Sequence, residues 1–329
     1  MSLIITRAES ETDERFGYTP DKRKMEQHLN LGIVNLDKPS GPTSHQVVSY
    51  VKEIFNLSKA GHSGTLDPHV TGVLPTALEK ATKVLYALLP AGKEYVGVMH
   101  VHKDVPEERL RTTVGKFVGD ILQRPPVRSA VKRRLRVRRV YNLDILEIDG
   151  KDVLFRTNVQ AGTYIRKLCS DIGARIGGAH MAGLRRTRAG PFLEKDSCTL
   201  QDLADAYALW KEEGREDLLR KIVLPVEAAV PHLKKVWVKD GAVNAICNGA
   251  NLAAVGISRL DENIERNELL AIMSLKGELV ALSNALMSSK EMLEKESGFA
   301  ADTKRVVMPA EIYPRMWRKK QQPSPMDKF

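Results

Sequence analysis

Residues 61–75, GHSGTLDPHVTGVLP, constrain the fold more than any other part of this 329-residue chain. Glycines and prolines punctuate an otherwise apolar run, so no regular helix passes through its first half. A loop of this composition lets backbone approach a ligand closely and presents Asp67 from a rigid flank. A carboxylate held there can act as nucleophile or base without a cofactor. Asp67-Pro68 is equally a turn dipeptide, in which Asp commonly bonds its own backbone. Both readings stay open on local grounds.

The flanks are more regular. LGIVNL at 31–36 is apolar and β-prone, and Asp37-Lys38-Pro39-Ser40-Gly41 breaks it. Thr43 or Ser44 then caps a helix through Phe55, with Val47, Val48 and Val51 on one face. Pro75 is placed to open another helix, to about Leu89. A strand is expected over 95–101, a helix over 106–118, and a hairpin of 140–148 and 153–159 around Asp149-Gly150. Further on, 164–176 reads as helix, 183–189 as strand and 199–230 as mostly helical. From Val236 the grain changes to short strands with glycine punctuation. The order implies an α+β fold: a mixed, largely antiparallel sheet over 31–233, then a small β-rich domain over 234–315. Residues 1–30 read as an irregular extension and 316–329 as a short basic tail.

The net charge of +10 is unevenly spread. Residues 1–30 carry 5 basic and 6 acidic side chains, residues 235–315 carry 10 and 11, and residues 31–233 carry 31 and 23. Within the last block, 124–139 holds eight basic residues and no acid: Arg124, Arg128, Lys132, Arg133, Arg134, Arg136, Arg138 and Arg139. A charge run is often only a solvated face. Here Pro125 and Pro126 oppose a regular helix, and Val127, Val131, Leu135 and Val137 interleave the cations. A mobile loop that clamps a phosphate backbone has this composition, because arginine forks match phosphate oxygens. Arg185, Arg186 and Arg188 form a second cluster. Nucleic acid is the favoured partner.

Other classes are excluded. No stretch approaches the roughly 18 apolar residues of a membrane span, and the start turns acidic where a signal peptide needs apolar residues. Three cysteines, Cys169, Cys198 and Cys247, make no disulfide framework and no C-x-x-C zinc site. A soluble, reduced, cytoplasmic protein is expected. SGPTSH at 40–45 lacks the Gly-Lys-Ser/Thr of a phosphate loop. His100 and His102 alternate on a strand with no acidic or cysteine partner in view, so no metal is expected. Gly162-Thr163-Tyr164-Ile165-Arg166 is the second dense segment. Tyr164 and Arg166 are two apart at a helix start, so they converge only if Tyr164 lies in the turn before the helix. Arg166 is either a surface arginine or the partner that keeps a buried carboxylate ionised.

LGIVNLDKPSGPTSHQVV, GHSGTLDPHVTGVLP with ALEKATK, KEYVG, GTYIRKLCSDIG and MAGLRRTRAGPF occur in the order found in the TruB family of pseudouridine synthases, which the chain resembles over about 31–315. It resembles most closely the archaeal dyskerin-type catalytic subunits of H/ACA RNA-guided ribonucleoproteins, and the absence of a long lysine-rich tail favours that type. NGANLAAVGI at 248–257 and ELLAIMSLKGELVAL at 268–282 are similar to the PUA RNA-binding domain. The resemblance implies Asp67 as catalytic aspartate, His62 as the histidine that helps displace the target base, and Tyr95 as the tyrosine that stacks on the uracil. It implies Tyr164 and Arg166 as the second site tyrosine and the partner of the aspartate, and Leu184 as a pocket-lining residue. Residues 124–139 match the thumb loop, and Gly249, Ala250 and Gly256 fall in the PUA RNA-binding segment. His69 departs from the lysine or leucine usual there, outside the pocket positions. The N-terminal extension is expected to pack on the PUA domain.

The implied reaction is the isomerisation of uridine to pseudouridine, on a base extruded from its RNA. Reactant and product are isomers, so neither cofactor nor metal is called for. Implied partners are an H/ACA guide RNA, a target rRNA or tRNA, a small Nop-type protein, a Gly-Arg-rich-type protein and a kink-turn-binding ribosomal-protein-like subunit. A stand-alone tRNA synthase and an RNA-binding scaffold are the alternative functions. A pure scaffold has no need of Asp67, Tyr95, Tyr164 and Arg166 together.

Overall fold

Thr43 accepts a hydrogen bond from the Gln46 amide, and the Gln46 side chain accepts from the Thr43 amide, so a capping box starts the helix where the sequence placed it. Local signals of this kind account for most of the elements in the computed structural model, which describes residues 3–125, 132 and 134–315. The first elements are β1 (Ile4–Thr6), α1 (Met25–Asn30), β2 (Gly32–Lys38), α2 (Ser44–Phe55), β3 (Ala60–His62), β4 (Thr71–Leu78) and α3 (Leu85–Leu88). There follow β5 (Lys93–Val101), α4 (Glu107–Gly115), β6 (Gly119–Gln123), β7 (Arg136–Asp149), β8 (Asp152–Val159), α5 (Ile165–Ile176), β9 (Ala179–Ala189) and β10 (Phe192–Leu193). Next come α6 (Leu200–Glu213), α7 (Asp217–Ile222), β11 (Val223–Pro225), β12 (Lys234–Val238), α8 (Asp240–Cys247) and β13 (Leu252–Ala253). The last are β14 (Ile257–Asp261), β15 (Leu269–Ser274), β16 (Leu279–Ala285), α9 (Ser289–Glu294) and β17 (Phe299–Val306).

Two compact units emerge, one of residues 32–224 and one joining the first 31 residues to those from 225 onward. Among the described residues, the first unit's sheet runs β11-β2-β4-β9-β5-β8-β7-β6, with β3 on β4 and β10 on β9. Its β4–β9 pair is parallel, and the pairs β2–β4, β5–β9, β5–β8 and β7–β8 are antiparallel. One face of α5, bearing Ile165, Leu168, Cys169, Ile172 and Ile176, buries against this sheet's side chains. Burial raises the Cys169 thiol to about 12, so it is an inert core group. The second unit's sheet runs β1-β14-β12-β15-β16-β17-β13 around its own core. No helix among the described residues is long and apolar enough to cross a membrane.

Four expectations change. The helix expected from Pro75 is instead the strand β4, in which every residue after Thr71 is buried. Pro75 is tolerated because its carbonyl faces the side of β3 and accepts from Ser63 just past the last β3–β4 pair, His62 with Thr76. The first 30 residues are not wholly irregular, since β1 pairs with β14 and α1 buries Met25, His28 and Leu29. Residues 225–233, read with the first domain, pack with the second unit. Val226, Ala229 and Val230 are fully buried, the Val226 amide donates to Leu31, and Glu227 holds both Arg23 and the Leu279 amide. Finally, part of the basic run is not loop: Arg136, Arg138 and Arg139 lie in β7, paired with β6. Arg128, Arg133 and the tail 316–329 lie outside the described residues.

Candidate active site

Asp67 sits in the loop between β3 and β4, and the carbonyls of Gly64, Leu66, Asp67, Pro68 and Val70 in that loop each have an internal donor. Ser44, buried at the start of α2, both donates to the Leu66 carbonyl and accepts from its amide, at 3.0 and 2.9 Å. Lys38, fully buried at the end of β2, donates to the carbonyls of Pro39, Pro68 and Val70 at 2.7–3.0 Å. Gly41 also donates to Pro68, and Val70 donates to the Asp67 carbonyl. Arg186, 1% exposed in β9, donates to Val73 and Gly64. Burial lowers the Lys38 ammonium's pKa, and the Asp67 charge opposes that shift. The loop is therefore preformed, with a carboxylate at its crest.

Arg166 reaches that carboxylate directly, its Nη2 donating to Asp67 Oδ2. Tyr164 is the extended residue before α5, so the turn geometry that convergence required is present. Its backbone is held on both sides by the Gln123 side chain, which accepts from the Tyr164 amide at 2.9 Å and donates to its carbonyl at 3.2 Å. Arg138 Nε donates to the Gly162 carbonyl, tying β7 to the same turn. The apolar neighbours of the two charged residues, Leu66, Val70 and Ile165, share one buried cluster with Tyr95, and Leu184 packs against it. Leu184 stands opposite Gly97, where a Cβ would come within 2.8 Å of the Leu184 and Phe155 side chains. Glycine at 97 makes the room that Leu184 fills.

The expected burial of the carboxylate is not found. The side chains of Asp67 and Arg166 are 51% and 58% exposed, so the arginine does not rescue a desolvated charge and instead sets where the carboxylate points. His62 is half-buried, with Nδ1 accepting from the Gly64 amide and its ring edge-on to His45 at 5.2 Å. Burial, then the charges on His45 and Arg186, lower it to about 4, so it is a neutral imidazole near pH 7. Tyr95 is largely buried, 9% exposed.

Away from this cluster, Arg124, Lys132, Arg134 and Arg139 are exposed, while Arg139 also stands 3.8 Å from Asp120. His100 does have an acidic partner, Asp152 across the β5–β8 ladder at 2.7 Å, and His102 faces His180 of β9 at 2.9 Å. Among the described residues no group of three or more His, Cys, Asp or Glu is disposed to hold a metal ion. In the second unit, Gly249 and Ala250 are exposed after α8, Gly249 at φ +90°. Gly256 is packed instead, since a Cβ there would lie 3.0 Å from that of Ala242.

Lys38, Ser44, Gln123 and Arg186 escaped the sequence reading. Their work is done through backbone carbonyls and amides, which no spacing rule reports. The one available signal was a lysine two residues past the apolar run 31–36, at the position where β2 in fact ends.

Comparison with known proteins gives this arrangement its lineage. Residues 52–165 match the N-terminal domain of TruB family pseudouridylate synthases, 166–231 the tRNA pseudouridylate synthase B C-terminal domain, 234–307 the PUA domain and 1–48 the DKCLD (NUC011) domain. A probable tRNA pseudouridine synthase B of Methanopyrus kandleri is 60% identical over 95% of this chain and 93% of its own. One of Pyrococcus abyssi is 57% identical over 96% and 95%. Among solved structures, a chain of the archaeal box H/ACA sRNP Nop10–Cbf5 complex is 53% identical with a TM-score of 0.89, covering 96% of this chain and 99% of that one. A chain of a Cbf5–Nop10–Gar1 complex is 56% identical with a TM-score of 0.90, covering 95% and 96%. An aspartate loop held from beneath, an arginine reaching it from a helix start, and near full-length identity above half leave one lineage: the chain belongs to the TruB family of pseudouridine synthases, with a PUA domain as its second unit.

Proposed function

We propose that this chain is the catalytic subunit of an H/ACA ribonucleoprotein and converts guide-selected uridines of rRNA, and of tRNA where a guide directs it, to pseudouridine. The observation that carries this reading is the likeness to Cbf5 chains over 95–96% of the length, in complexes that contain Nop10 and, in one case, Gar1 as well. The site supplies the chemistry. The N1–C1′ bond of the extruded uridine breaks, the base turns, and C5 bonds to C1′ as its proton leaves and N1 takes one up. Asp67 is the carboxylate that acts at the sugar or the base, and Arg166 fixes its direction. Tyr95 gives the uracil an aromatic face, an interaction worth about 1–3 kcal/mol per base in single-strand binders. Tyr164 and Leu184 line the pocket. Neutral His62 helps displace the target base by its shape and its Nε2–H. The exposed cations of 124–139 close on target phosphates, while Gly249 and Ala250 meet the guide. Partners are the guide RNA, Nop10-type and Gar1-type proteins and a kink-turn-binding subunit.

A stand-alone activity on tRNA is the second reading, favoured by the names of the curated relatives. Tritium release from RNA labelled at uridine C5 separates the two. The guided reading expects release only with guide RNA and partner proteins present. Release from a tRNA transcript by the chain alone, at a comparable rate, would establish the stand-alone one.

A further inference from the structure

Arg186 is a buried cation that the proposed mechanism does not use. It is 1% exposed, and its described hydrogen bonds go to backbone carbonyls, Nε to Val73 at 2.7 Å and Nη2 to Gly64 at 3.1 Å. Those carbonyls bracket the loop that carries Asp67. Gly64 opens it, at φ +135°, where a side chain is strained and only glycine turns the carbonyl freely. Val73 is already in β4, fixed by its pairing with Asp37 of β2. Arg186 itself is pinned by the parallel β4–β9 pair, Gly72 with Arg186, which approach so closely that a Cβ on Gly72 would lie 2.2 Å from the Arg186 carbonyl oxygen. The guanidinium is thus a rigid fork bridging a fixed strand and a freely turning glycine. A lysine would bring one nitrogen where Arg186 sets two, Nε and Nη2, on separate carbonyls in a fixed planar fork. Lys38 grips the other side of the loop at Pro68 and Val70, so Asp67 lies between two buried cations.

We propose that Arg186 is a positioning residue for Asp67: its fork fixes the carbonyl of Gly64 against β4 and thereby sets the place of the carboxylate at the loop crest. It touches neither substrate nor the Asp67 side chain in this role. The inference rests on Asp67 being the catalytic carboxylate.

The test compares Arg186→Lys, which keeps the charge but loses the fork, with Arg186→Gln, which keeps amide donors but loses the charge and length. Both are measured in whichever reconstitution turns over with the unmodified chain, on RNA labelled with tritium at uridine C5. Single-turnover rates should fall about 10- to 100-fold in both, the range expected when a reacting group shifts by about 1 Å, with target-RNA affinity within about twofold. Amide hydrogen exchange of the RNA-free chain should quicken at 64–70 and stay unchanged in β5, β8 and α5. Three results would overturn the proposal: rates within about twofold of the unmodified chain, a loss carried wholly by RNA affinity, or exchange quickened throughout the first unit. A variant that does not fold counts with the last, because Arg186 would then hold the fold and not the loop. Should Asp67→Asn leave turnover intact, the catalytic assignment fails instead, and the exchange data still report whether Arg186 orders the loop.

Discussion

Among the described residues, the two units differ in the buried charges that are held without an ion pair: cations in the first, acids in the second, where the buried cation Arg23 is instead paired with Glu227. In the first unit Lys38, Lys93 and Arg186 are buried cations, and each donates to backbone carbonyls. In the second, Asp240, Asp261 and Glu278 are buried acids that accept from backbone amides, those of Asp13, Lys235 and Tyr18. Lys38 and Arg186 fix the loop that carries Asp67, while Lys93 holds the carbonyls of Leu88, Leu89 and Ala91 before β5. Two of the acids, Asp240 and Glu278, fasten the N-terminal segment to the PUA sheet, at Gly17 so tightly that a Cβ would meet Glu278 and Tyr313 at 2.4 Å. A buried charge is costly unless fully hydrogen-bonded, and a carbonyl ring around a cation or an amide set around a carboxylate meets that need without an opposite charge. Buried cations also leave positive potential at a surface that meets RNA, in keeping with the excess of base over acid across 31–233.

The sharpest way to break this contrast is at Asp67. Asp67→Asn should drop pseudouridine formation below about 1% of the unmodified chain while target-RNA affinity holds, since phosphate contacts supply most affinity. Residual turnover above that level would end its role as the reacting carboxylate. Next in size is Lys38→Met, which strips the donor from three carbonyls. Leaving buried acceptors unpaired costs about 1–3 kcal/mol each at most, and Pro68 keeps its bond from Gly41, so a total loss of roughly 2–4 kcal/mol in urea unfolding is expected. Turnover should fall with it. A stable but inactive variant would sharpen the comparison by showing that the cation serves the loop alone.

How much of this was legible depended on whether the signal was local. The capping box of α2, the β7–β8 hairpin turn and the apolar face of α5 follow from short-range rules and stand where those rules put them. The segments of Asp67, Tyr164 and Arg166 stood out because they are dense and unusual, but the pairing of Arg166 with Asp67 came from the family resemblance. Pro75 misled because proline at a helix start and proline at the unpaired side of a strand look alike in sequence, and only the neighbouring strand decides. Exposure of the Asp67–Arg166 pair was also out of reach, since it depends on what covers the loop. Lys38 was read only as part of a strand breaker and Arg186 only as charge, because most of their partners are carbonyls distant in the chain.

Surface charge should have smaller effects than buried charge. Replacing exposed Arg134 together with Arg136 by Ala should lower the salt slope of target-RNA binding by about 0.7 for each phosphate that is no longer neutralised. Guide-RNA binding, which the proposed function assigns to the nearly neutral residues 235–315, should change much less. Equal losses for guide and target would make the run a general RNA-binding stripe. On the second unit, Glu278→Gln places an amide donor among the Tyr18 amide, the Ser274 hydroxyl and the Tyr313 hydroxyl. It should cost about 1–3 kcal/mol and quicken amide exchange over 12–18, with turnover unchanged. A fall in the chemical step itself would break the division of labour between the units.

The smallest effect expected is a pH dependence confined to the first unit. His62 titrates at about 4 in the folded chain against an ordinary 6.5, chiefly because burial disfavours its charged form. Between those values the unfolded chain binds a proton that the folded chain does not, so stability rises with pH across the window. The folded state should therefore lose stability as the pH falls from about 6.5 towards 4. His62→Asn removes the titration and keeps an oxygen able to accept from the Gly64 amide. Because the ring is only half-buried, the difference between the two chains should be on the order of 1–2 kcal/mol, well short of the full shift. Urea unfolding followed by Trp210 fluorescence, with Trp237 and Trp317 replaced by Phe, reads the first unit alone. The two curves should run parallel above pH 7 and draw apart below 6.5, with the histidine chain losing more. Parallel curves down to pH 4 would mean that His62 takes up its proton in the folded chain as readily as in the unfolded one, and that the neutral imidazole assigned to base displacement is not held by the fold.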